Sequence, residues 1–415
     1  MSNLNNIIDQ IQELIKNQKI EWKEIKDVAN FYSGLKSKNK NDFKNGNKKY
    51  IQYNNIFKNN KIDMNNYVGY VKINSNDSQN IVQYNDILIT CTSEKYDEIG
   101  ATSIYLYNDE IYLNTFSKII RINNENINNT FIMYLFHSKW FKNKLLKCTN
   151  GVTRFNLSFD KFKKIQIPIP PLETQNKIVE ILDNFSNYET ELETELETRT
   201  KQYNYYLNKL LDFSNNKEIE YKKLGDVSIF TNGYAFKKQD FLNEGEIPII
   251  KITNIKNGQV DIAKTQFSNF DINSFSKFII EKNDILIAMS GATVGKVGIY
   301  SDLKISFLNQ RVGKIKSKEN ILNNKFLYYF LRMNENEILN LCKIGGAQPN
   351  INMNKLNFIK IPIPPLETQN KIVEILDNFN SLVNDIKDGL PKEIQLRKKQ
   401  YNYYLNKLLD FKENK

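Results

Sequence analysis

The stretch IPIPPLETQNKIVEILDNF occupies residues 167–185 and recurs without a change at residues 361–379. A second stretch, KQYNYYLNKLLDF at residues 201–213, recurs at residues 399–411. In both cases nearly half of the 415-residue chain separates the two copies. The chain is therefore predicted to consist of two similar halves, and a duplicated chain suggests a duplicated target.

Between the identical segments the two halves agree only in outline. EWKEIKDVANFYSGL from Glu21 corresponds to EYKKLGDVSIFTNGY from Glu220, and YNDILIT from Tyr84 corresponds to KNDILIA from Lys282. The best-matching positions hold Ile, Leu, Pro, Tyr and Lys rather than the side chains of a catalytic site. We interpret the shared segments as scaffold and the divergent segments as recognition elements.

The formal net charge of +11 favours a polyanionic partner, although many basic proteins have none. Cys91, Cys148 and Cys342 form no CxxC pair, which predicts packing residues in a reducing cytosol. No apolar run approaches the ~18 residues of a membrane span, and residues 4–16 are predicted to form an amphipathic helix rather than a signal peptide. We therefore expect a soluble cytoplasmic protein.

A long helix is predicted for residues 172–213, because Pro170 and Pro171 stand at its start and no Pro or Gly follows. The second copy should break at Gly389 and Pro391 before a new helix begins. Apolar residues at alternate spacings of four and three predict a coiled-coil seam in each copy. The seam consists of Ile178, Leu182, Phe185, Leu192, Leu196, Ile372, Leu376 and Phe379.

Short β-branched runs such as DILIT from Asp86, SIYLY from Ser103, IPIIKI from Ile247 and DILIAMS from Asp284 predict strands between the helical regions. Segments starting at Asn128 and Asn323 have helical periodicity. The predicted fold class is α+β, with two mixed α/β modules separated by long helices that form an antiparallel coiled coil, and with a pseudo-two-fold internal repeat. The predicted boundaries are residues 1–165, 166–215, 216–360 and 361–415.

A tandem ETEL unit at residues 189–196 lies between the identical segments of the first copy. One unit more or less would change the helix length by about 6 Å and its rotation by roughly 40°. The unit is placed to act as a ruler, although a solvated acidic face is the alternative interpretation.

Catalytic signatures are missing from the sequence. The one histidine, His137, lies in the apolar run FIMYLFHSKWF and is interpreted as a packing residue. A Ser/His/Asp or Cys/His site and a two-histidine metal site are therefore disfavoured. The sequence contains no GxxxxGK[ST], no GxGxxG and no acidic cluster with convincing metal spacing. The chain is expected to be noncatalytic, with no catalytic residue and no metal site of its own.

Two loops are candidates for phosphate contact. The first half carries a lysine-rich loop, expected to be flexible, with Lys36, Lys38, Lys40 and Lys44. The second half carries SGATVGK, in which Ser290, Thr293 and Lys296 would face a nucleic-acid backbone. The alternatives are a solvated charged loop and a plain glycine turn between strands.

Candidates for base reading are amide and guanidinium side chains, because these suit adenine and guanine edges. Each one alone fits a surface or turn residue equally well. They are Arg154, Asn156, Gln310, Arg311, Gln348, Asn350 and Asn352, and Lys237 and Lys238 complete the DNA-binding candidates.

The repeated segments, together with SGATVGKVGIY, LNQRVGK and QPNIN in the second half, resemble type I restriction-modification specificity (S) subunits over essentially the whole chain. The first half lacks the SGATVGK loop and has TCTSEKYDEIGATSIY from Thr90, so contacts are not transferable between halves. The resemblance implies two target-recognition domains that each bind one half of a split double-stranded DNA sequence, with helices that set the gap.

The same resemblance implies partners that carry the chemistry. Two methyltransferase (modification) subunits would dock on the helices and methylate adenine with S-adenosylmethionine, and restriction/translocase subunits would add cleavage with ATP and Mg. No cofactor is expected in this chain. The alternative function is a noncatalytic coiled-coil scaffold with nonspecific nucleic-acid affinity, and an enzyme is the third interpretation.

Overall fold

The computed structural model describes residues 13, 20–263, 265–341, 350–351, 353–384 and 389–411. The helix predicted for residues 4–16 lies outside this part of the chain apart from residue 13, as do Cys342, Gln348 and Asn352. By its internal contacts the chain forms two units. Unit 1 comprises Met1–Thr190 with Arg397–Lys415, and unit 2 comprises Glu191–Leu396. Each unit thus contains one predicted recognition module and helical segments from both halves of the sequence.

The strands of unit 1 are short. They are β1 (Glu21–Glu24), β2 (Ala29–Ser33), β3 (Lys48–Ile51), β4 (Val68–Val71), β5 (Ile81–Val82), β6 (Ile87–Thr90), β7 (Thr92–Ser93), β8 (Thr102–Ile104), β9 (Ile111–Leu113), β10 (Ser117–Ile122), β11 (Thr149–Asn150), β12 (Phe155–Leu157) and β13 (Gln166–Ile169). Their sheets have the orders β2-β10-β6-β8, β4-β3-β9-β5 and β11-β12-β7, and β1 pairs with β13.

The helices that begin in unit 1 before the long helix are also short. They are α1 (Ile25–Val28), α2 (Tyr53–Lys58), α3 (Asn129–His137), α4 (Lys139–Leu146) and α5 (Phe159–Phe162). The helical segment predicted from Asn128 is two helices, because Ser138 is extended at φ −63° and ψ 149°. Its hydroxyl accepts a hydrogen bond from Phe141 N at 3.2 Å and so caps α4, while Asn128 caps α3 in the same manner.

Unit 2 repeats much of this plan. Its strands are β14 (Glu220–Lys223), β15 (Ser228–Asn232), β16 (Ile247–Ile250), β17 (Ile255–Lys256), β18 (Gln259–Val260), β19 (Gln266–Ser268), β20 (Ile279–Ile280), β21 (Ile285–Ala288), β22 (Val297–Ile299), β23 (Ser306–Leu308), β24 (Val312–Ser317) and β25 (Lys360–Ile363). The sheets have the orders β15-β24-β21-β22-β18-β17 and β19-β16-β23-β20, and β14 pairs with β25. Strands β6, β8, β16 and β21 confirm the four runs predicted from the sequence.

The long helix α6 spans Leu172–Leu211 and has 40 residues, two fewer than predicted. The remaining helices are α7 (Leu224–Val227), α8 (Asn324–Met333), α9 (Glu335–Leu341), α10 (Met353–Asn357), α11 (Leu366–Asn384) and α12 (Leu390–Leu408). The predicted break in the second copy is confirmed, with Pro391 placed in the first turn of α12, where its missing N–H costs no helical hydrogen bond.

Each unit has a core to which both repeated segments contribute. In unit 1, Ile178 and Leu182 of α6 are buried with Tyr404, Leu405 and Leu408 of α12. The ring of Phe185 stacks on Tyr404, and Lys398 Nζ lies 3.4 Å from Glu189 Oε1, so these helices run antiparallel.

In unit 2, Leu207 and Leu211 of α6 share a core with Ile372 and Leu376 of α11, and Phe379 packs against that core. Leu192 and Leu196 are half-buried. The predicted α+β fold with an internal repeat and paired long helices is therefore confirmed.

Candidate nucleic-acid interface

A buried glutamine of the repeated segment holds each recognition module against its helix. Gln175 is fully buried, and its Nε2 donates to Pro170 O at 2.7 Å and to Asn126 O at 3.0 Å, while its Oε1 accepts from Asn128 N at 2.8 Å. Gln369 makes the same contacts in unit 2, with Pro364 O, Ile321 O and Asn323 N. These hydrogen bonds explain why both copies of the segment carry this glutamine.

A tyrosine and an aspartate add a second link of the same kind in each unit. The hydroxyl of Tyr134 donates to Asp183 Oδ1 at 2.6 Å, and that of Tyr329 donates to Asp377 Oδ1 at 2.6 Å. Burial, followed by the neighbouring carboxylate, raises the pKa of both tyrosines, so their hydroxyls stay protonated donors. These links fix the modules, and therefore their loops, on the helices.

The lysine-rich loop of unit 1, expected to be flexible, contains a short hydrogen-bonded helical turn. Residues Lys40–Phe43 form one turn of 3-10 helix, in which Asn39 Oδ1 accepts from Asn41 N at 2.9 Å and Asp42 Oδ2 accepts from Asn39 N at 2.7 Å. This short-range capping holds the turn in place. Lys36, Lys40 and Lys44 are exposed, whereas the ammonium of Lys38 is nearly buried and ion-paired with Asp77.

Unit 2 carries the same turn at Lys238–Asp240, although the surrounding sequence differs. Asp240 Oδ2 accepts from Lys237 N at 2.6 Å, as Asp42 does from Asn39 in unit 1. Lys237 and Lys238 are exposed, and Lys238 takes the position of Lys40. The structure therefore gives both units an exposed lysine on an equivalent hydrogen-bonded turn.

The SGATVGK segment at residues 290–296 connects β21 to β22 as a hydrogen-bonded turn. Gly291 and Gly295 have φ values of 82° and 83°, a region that favours glycine. The hydroxyl of Thr293 donates to Ile252 O at 3.3 Å, and Lys296 Nζ lies 3.1 Å from Glu335 Oε2. This geometry fits the glycine-turn interpretation, and phosphate contact by Ser290, Thr293 and Lys296 stays a prediction.

Two candidate readout segments of each unit meet in space. Ser290 forms a β-bridge with Asn350 in unit 2, and Ile351 N donates to Met289 O at 2.8 Å. In unit 1, Thr92 of β7 pairs with Asn156 of β12, and the Thr92 hydroxyl donates to Asn156 Oδ1 at 3.0 Å. The TCTSEKYDEIG and SGATVGK loops therefore begin at equivalent places despite their different sequences.

In each unit a third segment lies next to these two segments, and the three together form one edge of the unit. In unit 2 the third segment places Arg311 beside Ser290. Met289 N donates to Arg311 O at 2.8 Å in unit 2, and Cys91 N donates to Phe116 O at 2.8 Å in unit 1. Gln310 and Arg311 are exposed. Phe116 is not among the residues predicted from the sequence, although aligning LNTFSKII from Leu113 with LNQRVGKI from Leu308 places it opposite Arg311.

The side chain of Arg154 belongs to the same edge of unit 1. Its guanidinium carbon lies 5.5 Å from the centroid of the Phe116 ring, and both side chains are exposed. Gln348 and Asn352 lie outside the described residues, so their placement stays a prediction. The described part of the interface is a polar edge that carries an arginine in each unit and an aromatic ring in unit 1. It suits contact with nucleic-acid bases.

His137 faces a cavity of about 460 Å³ in unit 1 and its Nε2 lies 2.9 Å from Thr102 O. Burial lowers the pKa of the His137 imidazole to about 4, so the ring is neutral at pH 7. Within the described ranges, no group of three or more His, Cys, Asp or Glu side chains is arranged to hold a metal ion. None of the helices in the described part of the chain is both long and apolar enough to span a membrane.

Comparisons with known proteins agree with this arrangement. A family model described as the type I restriction modification DNA specificity domain matches residues 17–202 and again residues 216–396. The specificity subunit of the type I restriction enzyme EcoR124I/EcoR124II of Escherichia coli is 37% identical over 258 residues, which are 60% of this chain and 63% of that subunit. A putative type I restriction enzyme specificity subunit of Haemophilus influenzae is 30% identical over 97% of this chain and 98% of its own length.

The fold is also found among solved structures. The crystal structure of a type I restriction-modification S subunit from M. genitalium aligns with a TM-score of 0.61 and 17% identity, over 94% of this chain and 96% of that one. The matches do not support the alternative of an unrelated coiled-coil scaffold. Because one domain model matches each half and a relative aligns along almost the entire length, the chain belongs to the family of type I restriction-modification DNA specificity subunits.

Proposed function

We propose that each unit binds one part of a bipartite double-stranded DNA target, and that the complex formed with partner subunits methylates adenine at that target. The observation that carries the proposal is that equivalent positions of the two units hold side chains of different chemistry. The same backbone contacts hold Phe116 in unit 1 and Arg311 in unit 2. A shared scaffold with different reading residues suits two different base sequences.

The exposed lysines supply the sequence-independent part of this binding. Lys40 and Lys238 lie on the equivalent 3-10 turns described above, and Lys36 and Lys44 add charge in unit 1. Ammonium groups release counterions from the DNA backbone, so they raise affinity without selecting bases. Selection would come from the edges that contain Arg154 and Asn156 in unit 1, and Ser290, Arg311 and Asn350 in unit 2.

Helix α6 would set the unspecified gap between the two half-sites. The tandem ETEL unit at residues 189–196 lies within its continuous helical span. Arg199 Nε lies 2.7 Å from Glu195 Oε1, and Lys201 Nζ lies 2.6 Å from Glu197 Oε1, so pairs four residues apart support the helix here. A helix that stays continuous when ETEL repeats are added or removed is suited to act as a spacer.

Two methyltransferase subunits would dock on the repeated helices. Tyr205 and Tyr403 occupy the same position of the repeated KQYNYYLNKLLDF and are 58% and 60% exposed. Exposed tyrosines within two identical sequence segments suit two copies of one partner. S-adenosylmethionine would be bound by those partners, and restriction/translocase subunits would use ATP and Mg for cleavage. Such an assembly would work in the cytoplasm, where the DNA is.

The test is to express the chain with the modification subunit of its own system in a host that lacks adenine methylation. Modified adenines are then mapped across the genome by single-molecule sequencing. The expected result is one two-part motif with a fixed gap. A soluble complex that binds S-adenosylmethionine but leaves the genome unmodified would contradict the proposal.

Two single variants sharpen the test, because each changes one unit. Arg154→Ala should relax the motif in one half-site, and Arg311→Ala should relax it in the other. Both side chains are exposed, so neither change should unfold its unit. If both variants altered the same half-site, the assignment of one half-site to each unit would be wrong.

A further inference from the structure

The ring of Phe116 in unit 1 is exposed although its backbone is firmly held. Phe116 lies in the connection from β9 to β10 and is 46% exposed. Its N–H donates to Asn114 Oδ1 at 2.9 Å, and its carbonyl accepts from Cys91 N at 2.8 Å. The ring therefore projects to the surface from a fixed position, as a reading side chain must.

The corresponding residue of unit 2, Arg311, indicates which function the position of Phe116 has. Arg311 N donates to Asn309 Oδ1 at 3.4 Å, and its carbonyl accepts from Met289 N at 2.8 Å, which repeats both contacts of Phe116. One backbone position thus presents a guanidinium in one unit and a phenyl ring in the other. Arginine suits the two acceptors of guanine in the major groove, whereas a phenyl ring suits the methyl group of thymine.

The surroundings of Phe116 favour DNA over another apolar partner. The guanidinium of Arg154 lies 5.5 Å from the ring centroid, and the Thr92–Asn156 pair flanks the same edge with polar groups. An apolar ring beside a cation and hydrogen-bonding groups matches a thymine, whose methyl group, carbonyl oxygen and nearby phosphates lie close together. A protein partner would instead need a wider apolar patch.

We infer that Phe116 reads a thymine in the half-site bound by unit 1, by packing its ring on the C5 methyl group in the major groove. Arg154 beside it then binds the phosphate or the neighbouring base. This inference rests on the proposed function and adds the base type and the contact. It also explains why two units with one scaffold select different sequences at this position.

Deoxyuridine provides the test, because it differs from thymidine only by lacking the methyl group. The full chain is assembled with its modification subunits, and its affinity for the mapped target is measured with each thymine of one half-site replaced in turn. For the wild type, one replacement should weaken binding about threefold to tenfold. For Phe116→Ala, affinity for the unmodified target should fall similarly, and the same replacement should have no further effect.

A matched control comes from Tyr84, which is 53% exposed and lies at the opposite end of β6 from Cys91. Tyr84→Ala should leave the effect of every deoxyuridine unchanged. Phe116→Leu keeps apolar bulk and should retain part of the discrimination. If the wild type binds its target specifically and Phe116→Ala still distinguishes thymine from uracil at every position, the inference is wrong. If the wild type shows no specific target at all, the proposed function itself fails.

Discussion

The rings of Phe185 and Tyr404 stack with centroids 5.1 Å apart and planes inclined by 27°. Phe185 belongs to the first copy of one repeated segment, and Tyr404 belongs to the second copy of the other. Phe379 and Tyr206 make the same stack in unit 2, with centroids 5.1 Å apart and an angle of 22°. Each unit therefore combines the two repeated segments from opposite halves of the sequence.

We expect Phe185→Ala to destabilise unit 1 by about 2 kcal/mol, since it removes a half-buried ring and its stacking contact with Tyr404. Both tryptophans of the chain, Trp22 and Trp140, lie in unit 1, so tryptophan fluorescence during urea unfolding reports that unit alone. The midpoint of this transition should fall.

Phe379→Ala is the matched control for this prediction, because it breaks the equivalent stack in unit 2. The tryptophan transition should then stay at its wild-type midpoint while the circular dichroism transition shifts. Equal shifts of the fluorescence midpoint in both variants would mean that the two units unfold as one cooperative block.

Much of this fold was predictable, because its signals are local. The helix α6, the break before α12 and strands such as β6 and β21 follow from periodicity, proline placement and β-branched runs. The exchange of helices was predictable only in outline, as an antiparallel pairing of the long helices, and the pairing of individual segments was not. Residues 201–213 and 399–411 are identical, so nothing in either segment specifies which copy of the other helix it contacts.

The candidate interface was predictable only in part, for a similar reason. Arg154, Asn156, Ser290 and Asn350 were selected by residue type, and the structure brings them to equivalent edges. The ion pair between Lys38 and Asp77 joins residues far apart in sequence, so the sequence did not show that the charge of Lys38 is neutralised. Phe116 was not among the candidates because these were chosen for polar or charged side chains, and its place beside Arg154 is visible only in the fold.

Unit 1 should lose stability as the pH falls from 7 to 5.5, because of His137. The pKa of this imidazole is about 4 in the folded chain and about 6.5 when unfolded, so the unfolded chain binds the proton more readily. The contribution is complete above the unfolded pKa, declines below it and levels off beneath the folded pKa. Linkage gives a loss of about 1.2 kcal/mol between pH 7 and pH 5.5, to be measured by tryptophan fluorescence in urea.

His137→Gln tests whether that loss comes from the imidazole. Glutamine cannot titrate in this range, and its amide can still donate to Thr102 O. The variant should therefore unfold at nearly the same urea concentration at pH 7 and pH 5.5. A wild-type pH dependence that survives in the variant would assign the effect to other groups, since the chain has one histidine.

Lys40→Gln together with Lys238→Gln should weaken DNA binding at every sequence equally. Each lost phosphate contact should reduce the slope of log affinity against log salt concentration by about 1, or about 2 for the pair. The preferred sequence should not change.

The paired change Lys38→Gln with Asp77→Asn keeps the net charge and should leave the slope unaltered, because that lysine is already neutralised. A changed base preference in the first variant would show that these lysines read sequence.

Deletion of Glu193, Thr194, Glu195 and Leu196 should narrow the gap of the target without altering either half-site. The deletion shortens α6 by about 6 Å and turns its ends by roughly 40°, which corresponds to at most about two base pairs. Helical support is preserved, since Glu191 then stands four residues before Arg199 and replaces Glu195 in its ion pair. Methylation mapping should give the same half-sites with a shorter gap.

Deletion of Glu193 and Thr194 alone turns the helix by roughly 200° and should abolish methylation. If the four-residue deletion leaves the gap unchanged, α6 is not the spacer.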